Sequence, residues 1–329
     1  MVKTATFQAR SPIWAALSNI LGPLSFLFVL IVILAIIERN QGFLSAENIK
    51  NVGEQTAVVA ILAVGETAVI ISAGIDLSVG SVLALAEVIS AQCMVTYGLG
   101  RWSGLAISSF TGMACGLVNG LLTAFGQIPS FIVTLGMMGV AAGLAGVISH
   151  ENNIYVMTPG LDIFSVRELL GSPTRNGIPY AILLMLLAAV IVHIVLTRTR
   201  WGRNLYAVGG SSEAARLSGI SLKKMTVTVF ALAGLLAGFA AMISMSRSSI
   251  AQPDAGRGYE LDAIAATVIG GTSLFGGSGG IPGTIIGAFL MSIIHNGCDL
   301  KAVPPSWQQV IIGGVTVAAV LYDRYRRRS

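Results

Sequence analysis

Charged residues are scarce in this sequence. Asp, Glu, Lys and Arg make up only 11% of its 329 residues, whereas a soluble domain carries roughly 25%. Hydrophobic residues make up 54%, and the mean hydropathy is +0.80. A soluble protein of this length would need a polar surface that so few charges cannot supply. The composition therefore excludes a soluble protein and predicts an all-α polytopic membrane protein.

Cysteine and several chemical motifs are also scarce or absent. The three cysteines are an odd number without a CxxC pair, which argues against a disulfide framework or a metal site. The sequence contains no GxxxxGK[ST] and no HExxH, so it has neither a phosphate-binding loop for ATP nor a zinc-protease motif. The net charge of +5 is confined to a few loops. We therefore expect no cofactor in this chain and no nucleic-acid partner.

Long apolar runs are abundant, and about 20 apolar residues suffice for one membrane span. The first run follows Lys3 and Arg10, but it is longer than the apolar core of a signal peptide. Three later segments are short and interrupted by Gly or Pro, as broken transporter helices are. About ten spans are predicted: 19–37, 56–73, 79–97, 104–125, 131–149, 178–196, 225–245, 264–274, 281–294 and 310–322.

The distribution of basic residues predicts the orientation. With the N-terminus inside, the inner loops hold more than half of the 20 Lys and Arg residues, as the positive-inside rule requires. An even number of spans returns the basic C-terminus to the cytoplasm. We expect a cytoplasmic tail over 1–16, a single transmembrane domain over 17–323 with a cytoplasmic loop at 197–224, and a basic cytoplasmic tail over 324–329.

Polar residues within or between the apolar runs need a reason, because polar groups are costly in lipid. They are the candidates for a translocation path: Glu66, Asp76, Ser78, Glu87, Asn119 and Gln127. Two structural alternatives stay open. Asp76 or Ser78 can cap the third span, and each of the other four can form a hydrogen bond that only joins helices.

Two glycine- and serine-rich stretches have several interpretations. In the inner loop, Ser211 or Ser212 can cap a short helix that Gly219 ends, and this helix either rests on anionic lipid or docks on a cytoplasmic partner. Residues 276–280 match GxSxG, the pattern of a serine nucleophile. A membrane-embedded serine protease would need a histidine near Ser278. On a continuous helix His295 would lie about 25 Å away, and His193 has no evident polar third partner.

Five stretches in order carry a resemblance to a known family: 74–81, 116–121, 128–136, 206–210 with 213–220, and 251–254 through 258–272. Over residues 51–323 the chain resembles the permease subunits of ribose-type bacterial ABC sugar importers. The resemblance implies a type II ABC importer-like permease bundle in the bacterial inner membrane, surrounded by membrane lipid. It also implies a second permease subunit as in a homodimer, a cytoplasmic ATPase that binds ATP and Mg, and a periplasmic sugar-binding protein.

The same resemblance assigns the inner-loop helix to ATPase coupling. The coupling residues are then Ser212, Glu213, Ala214, Ala215, Arg216, Leu217, Ser218 and Gly219. The implied cargo is a monosaccharide, and autoinducer-2, a nucleoside or an amino acid remain alternatives. A secondary transporter is a further alternative, in which Glu66 and Glu87 would couple transport to protons.

Overall fold

The structure is a computed structural model, and it describes residues 12–37, 42–164, 168–169 and 177–328. Helices dominate these residues. The twelve α-helices in this part of the chain are α1 (Pro12–Ile37), α2 (Ala46–Ile71), α3 (Val79–Tyr97), α4 (Arg101–Gly126), α5 (Ser130–Ser149), α6 (Tyr180–Arg198), α7 (Arg200–Gly210), α8 (Ser212–Leu217), α9 (Leu222–Ser248), α10 (Tyr259–Ile269), α11 (Ile281–Leu300) and α12 (Pro305–Arg328).

The remaining regular structure is short. A 3₁₀ helix covers Leu161–Phe164. The strands are β1 (Ile154–Tyr155), β2 (Glu168–Leu169), β3 (Ile178–Pro179) and β4 (Ile250–Ala251). Antiparallel pairs form between β1 and β4 and between β2 and β3. The first pair connects the loop after α5 to the loop after α9, so it ties together one end of the helical bundle.

Seven helices are long and apolar enough to cross a membrane: α2, α3, α4, α5, α6, α9 and α11. In α1, the apolar stretch Gly22–Ile37 is shorter. These features identify a multi-pass membrane protein. Each of the ten predicted segments overlaps one of the helices α1–α6 and α9–α12, whereas α7 and α8 lie in the predicted loop 197–224.

One predicted boundary differs from the structure. The segment predicted at 264–274 is α10, which begins at Tyr259 and ends at Ile269. The helix begins five residues before the predicted segment, because Asp262 in its first turn is buried within the bundle and does not face lipid. It ends where Gly270 and Gly271 begin a glycine-rich loop. At the C-terminus, α12 continues to Arg328, so the residues of the predicted basic tail up to Arg328 belong to this helix. Residues 1–11 of the predicted N-terminal tail and residue 329 lie outside the described residues.

Helix α2 is the centre of the bundle. It packs against α6, α9, α10 and α11, and 94% of its apolar window is buried inside the protein. Three threonine hydroxyls meet at its inner face, where Oγ1 of Thr67 lies 2.7 Å from that of Thr284 and 3.3 Å from that of Thr267. Because this apolar window is almost entirely buried, polar groups within it contact protein and not lipid.

Helices α4 and α9 touch along their glycines. A Cβ atom at Gly112 would collide with the carbonyl oxygen of Gly234, and one at Gly116 would collide with that of Phe230. Such contact of backbones requires the small residues that recur every fourth position. These glycines therefore form a helix-packing surface, and it holds α9 close to the polar segment described next.

Candidate translocation site

The chain between α2 and α3, residues 72–78, is a segment without regular structure, which we call the connector, and Gly74, Asp76 and Ser78 in it are buried. The N–H groups of residues 72–74 still donate to carbonyl oxygens of α2, but those of the next four residues have no helical acceptor, and an unpaired buried N–H is costly. Four consecutive N–H groups instead donate to side-chain oxygens. Ile75 donates to Oγ of Ser130 (3.1 Å), Asp76 to Oε1 of Glu66 (3.2 Å), Leu77 to Oγ1 of Thr134 (3.1 Å), and Ser78 to Oδ1 of Asp76 (2.8 Å).

Side chains extend this network across the bundle. Oδ1 of Asp76 also accepts from the Ser78 hydroxyl at 2.6 Å, and that hydroxyl accepts from Nδ2 of Asn119 on α4 at 3.0 Å. Glu66, Asp76, Ser78 and Asn119 are all buried. We call these four residues the polar cluster, and they are four of the six predicted path residues.

The capping alternative is wrong for Ser78. Ser78 occupies the N-cap position of α3, but within the described residues its side chain accepts no capping hydrogen bond. Asp76 bonds the Ser78 backbone and hydroxyl and so closes a turn before the helix begins. The two side chains stabilise the connector itself.

Two acceptor atoms of the polar cluster remain free. Among the described residues, Oε2 of Glu66 and Oδ1 of Asn119 are buried without a hydrogen-bond partner. Buried polar atoms without partners cost about 1–3 kcal/mol each, so such atoms mark positions where a donor is missing. A ligand with hydroxyl donors would fit their chemistry.

Sequence reasoning missed Ser130 and Thr134. Both lie in the first turns of α5, four residues apart and therefore on one face of the helix. That face supplies two of the four acceptors that the connector uses. The four-residue spacing of the two hydroxyls in the stretch 128–136 could have predicted a polar face on this helix. Only the tertiary structure shows that this face accepts hydrogen bonds from the connector.

The other two predicted path residues lie outside the polar cluster. Glu87 is buried on α3, about 13 Å further along the helix than Ser78 at 1.5 Å per residue. Its polar neighbour is Ser244 on α9. Gln127 ends α4 with a left-handed backbone and is exposed.

The predicted short helix in the inner loop is α8. Its N-cap is Ser211, whose Oγ accepts from the backbone N–H of Ala214 at 3.3 Å. Glu213 and Arg216 form an exposed ion pair with a shortest N···O distance of 2.7 Å. Gly219 follows the helix with a positive φ of 81°, a conformation that glycine favours at helix ends. Only Ala215 of α8 is buried, so α8 presents most of its surface outward.

Contacts connect α8 to the connector. Ser211 both ends α7 and caps α8. The Tyr206 hydroxyl on α7 donates to the carbonyl oxygen of Gly279 at 2.9 Å. In the same loop as Gly279, the N–H of Gly277 donates to the carbonyl oxygen of Ile71, the last residue of α2, at 2.9 Å. Helix α8 is therefore linked to the end of α2, where the connector begins, through α7 and two hydrogen bonds.

Comparison with known proteins identifies the family. A family model described as the permease component of branched-chain amino acid transport systems matches residues 48–320, which is most of the chain. The chain belongs to this permease family.

The permease is also similar over nearly its whole length to characterised relatives. It is 41% identical to the ribose import permease protein of Bacillus subtilis (strain 168) over 304 residues, 92% of each chain. It is 40% identical to the ribose import permease protein of Escherichia coli (strain K12) over 303 residues, 92% of this chain and 93% of the relative. The D-allose transport system permease protein of the same strain is 37% identical over 300 residues, 90% of each chain. A comparison with solved structures gives no match.

His295 is not placed to act as the base of a serine protease at Ser278. Both ring nitrogens of His295 have other partners, Oδ2 of Asp262 at 3.0 Å and Oε1 of Gln308 at 3.3 Å. Ser278 precedes α11, whereas His295 lies near its opposite end. Within the residues that the structure describes, no group of three or more His, Cys, Asp or Glu side chains could hold a metal ion.

Proposed function

We propose that this permease forms the translocation path of an ATP-driven importer for a monosaccharide. The observation that carries the proposal is the identity of 40–41% to ribose import permeases over more than nine tenths of each chain. The homologues named for allose, xylose and fructose are 34–37% identical. All four of these cargoes are monosaccharides, although the family description names branched-chain amino acids.

The polar cluster supports a sugar over an amino acid. A monosaccharide offers several hydroxyl donors, which suit the free acceptors Oε2 of Glu66 and Oδ1 of Asn119. A zwitterionic amino acid also needs a cation for its carboxylate. None of the four residues of the polar cluster is a Lys or Arg. Autoinducer-2 and nucleosides also carry hydroxyls, so the cluster does not separate them from sugars.

The proposed path residues are Glu66, Asp76, Ser78, Asn119, Glu87 and Gln127. The first four, which form the polar cluster, would contact cargo beside the connector between α2 and α3. There, the side-chain hydrogen bonds that hold the connector can be replaced by hydrogen bonds to cargo hydroxyls. Glu87 would act further along α3, and Gln127 at the exposed end of α4. Movement of α5 relative to α2 would release Ser130 and Thr134 from the connector and open the site.

The proposed energy source is a separate cytoplasmic ATPase that binds ATP and Mg. Helix α8, with Ser212–Leu217 and the following Ser218 and Gly219, would be the coupling helix. Its exposed Glu213–Arg216 pair and exposed Leu217 suit contact with another protein. Because α8 is capped at both ends and attached to α7, it can transmit a displacement that a flexible loop would absorb.

The proposed assembly is a homodimer of this permease in the bacterial inner membrane, with a periplasmic binding protein that delivers the sugar. Ten membrane segments would place both termini in the cytoplasm, with a tail over 1–16, one transmembrane domain over 17–323 and a basic tail over 324–329. Single cysteines in a variant without Cys93, Cys115 and Cys298 test this topology by labelling of intact cells. A cysteine at Ser212 should be protected, and one at Asn152 should be labelled.

The function itself is tested by purification and reconstitution. The tagged permease is isolated from native membranes in a mild detergent, and the proteins that accompany it are identified by mass spectrometry. We expect a P-loop ATPase and a periplasmic sugar-binding protein, and we expect the reconstituted complex to take up D-ribose or a related monosaccharide only with ATP. Isolation of the permease alone, even after mild crosslinking, would favour a secondary transporter that uses Glu66 and Glu87.

A further inference from the structure

Exposed cations gather at one corner of the end of the bundle where α8 lies. Helix α6 ends there, α7 follows, and α9 begins beside them. The Trp201 indole N–H on α7 donates to Oγ1 of Thr228 on α9 at 2.8 Å, which holds these helices together. The basic corner, as we name it, consists of Arg198, Arg200, Arg203, Lys223 and Lys224, all of which are exposed.

The basic corner borders apolar surface. Nζ of Lys223 lies 4.7 Å from the ring centroid of Phe125 at the end of α4, within the range of a cation–π contact. Phe125 itself is 61% exposed. The hydroxyl of Thr228 also donates to the carbonyl oxygen of Lys224 at 2.8 Å, which places Trp201 beside the first turn of α9. Aromatic side chains of this kind mark the level at which the hydrocarbon of a membrane ends.

Positive charge at this corner is not neutralised within the described part of the chain. None of the five cations forms an ion pair with a carboxylate there, whereas Arg216 on the neighbouring α8 is paired with Glu213. The side-chain hydrogen bond of Arg203 goes to the carbonyl oxygen of Arg198. Five positive charges therefore face outward at this corner and attract an anion that the described residues do not supply.

We propose that the basic corner binds the phosphodiester headgroups of anionic phospholipids. The apolar faces of α4 and α6 run up to the corner and are exposed at Phe125, Val190 and Ile194, so an acyl chain can lie against protein while its phosphate meets the cations. Lys and Arg side chains extend from such surfaces toward headgroups. This bound lipid fixes α7 at the membrane surface and thereby sets the position of α8. Only the assignment to the inner leaflet rests on the proposed function and orientation.

The test uses the purified full-length permease in detergent, titrated with phosphatidylglycerol while its thermal unfolding is followed. Each basic residue near an anionic membrane surface contributes about 1 kcal/mol, or about fivefold in affinity. We expect the Lys223→Gln/Lys224→Gln variant to bind phosphatidylglycerol roughly 25-fold more weakly. The Lys223→Arg/Lys224→Arg variant should retain native affinity because it keeps both charges.

A matched control lies at the other end of the bundle. Arg257 precedes α10 and is exposed, so Arg257→Gln removes the same charge as Lys224→Gln but leaves the basic corner intact. Native affinity is expected for Arg257→Gln and about fivefold weaker binding for Lys224→Gln. Equal affinities of these two variants would overturn the proposal.

Two further outcomes would also overturn it. Stabilisation by inorganic phosphate as large as that by phosphatidylglycerol would indicate a site for free phosphate. Loss of a co-purifying ATPase from the double glutamine variant, with unchanged affinity for phosphatidylglycerol, would indicate a protein-docking surface. Lipid binding is measured without cargo or ATP, so failure to transport a sugar would leave this test unaffected.

Discussion

The backbone N–H of Asp76 donates to Oε1 of Glu66 at 3.2 Å, so a carboxyl group on the central helix holds the chain that follows it. Both residues are buried. Glu66 thereby has a structural role through Oε1, while its Oε2 is free to meet a donor. One residue can serve the connector and the cargo at once, which makes conservative substitutions informative at this site.

Asp76→Ala removes the acceptor of two hydrogen bonds from Ser78. We expect a loss of stability of about 1–3 kcal/mol and reduced uptake, since a buried N–H and a hydroxyl lose their partner. Asp76→Asn keeps the Oδ1 acceptor and should retain most of the stability. Thermal unfolding in detergent and uptake by reconstituted vesicles measure the two effects. Unchanged unfolding and uptake in Asp76→Ala would contradict a role in the connector or in the path.

Thr134→Val tests whether α5 holds the connector. The substitution keeps the side-chain shape but leaves the N–H of Leu77 without its acceptor, so we expect destabilisation of about 1–3 kcal/mol. Thr56→Val is the matched control. Thr56 is equally buried, but its hydroxyl donates only to the carbonyl oxygen of Val52 in its own helix, and that oxygen keeps its helical bond. Equal unfolding temperatures for the two variants would show that the α5 contact is unimportant.

The exchange Glu213→Arg with Arg216→Glu tests α8 as the coupling helix. The ion pair can re-form within the helix, so the permease should remain folded. A partner protein whose charges complement the native positions of Glu213 and Arg216 would lose its contact. We expect uptake to fall while the ATPase still hydrolyses ATP. Uptake and hydrolysis assays on the same vesicles provide the measurement, and unfolding temperature provides the control for folding. Native uptake by this variant would exclude α8 as the site of coupling.

Gly116→Ala tests the contact between α4 and α9. Its Cβ would collide with the carbonyl oxygen of Phe230, and backbone cannot move aside as a flexible side chain can. We expect the variant to lose more than about 1 kcal/mol of stability, as overpacked cores do. On α5, a Cβ at Gly139 has no described atom within 4 Å, so Gly139→Ala is the control. Comparable expression and unfolding of both variants would mean that the close approach is not needed.

The sequence by itself determined the membrane class, the positions of most helices and the short helix α8. Apolar runs, caps and glycines act within one element, and their spacing is visible along the chain. Helix α8 is an example, because Ser211 or Ser212 at its start and Gly219 after its end are visible without any tertiary contact, although only the structure selects Ser211 as the cap. Burial of Glu66 also followed from its place in an apolar run.

Only the tertiary structure decided which polar side chains meet. Ser130 and Thr134 are more than 50 residues from the connector, whose N–H groups donate to their hydroxyl oxygens. No periodicity links such distant positions. The start of α10 at Tyr259 was hidden for the same reason, because Asp262 looks like a loop residue until α11 places His295 3.0 Å from it. Local patterns fix helices, whereas partners for buried polar groups depend on which helices pack together.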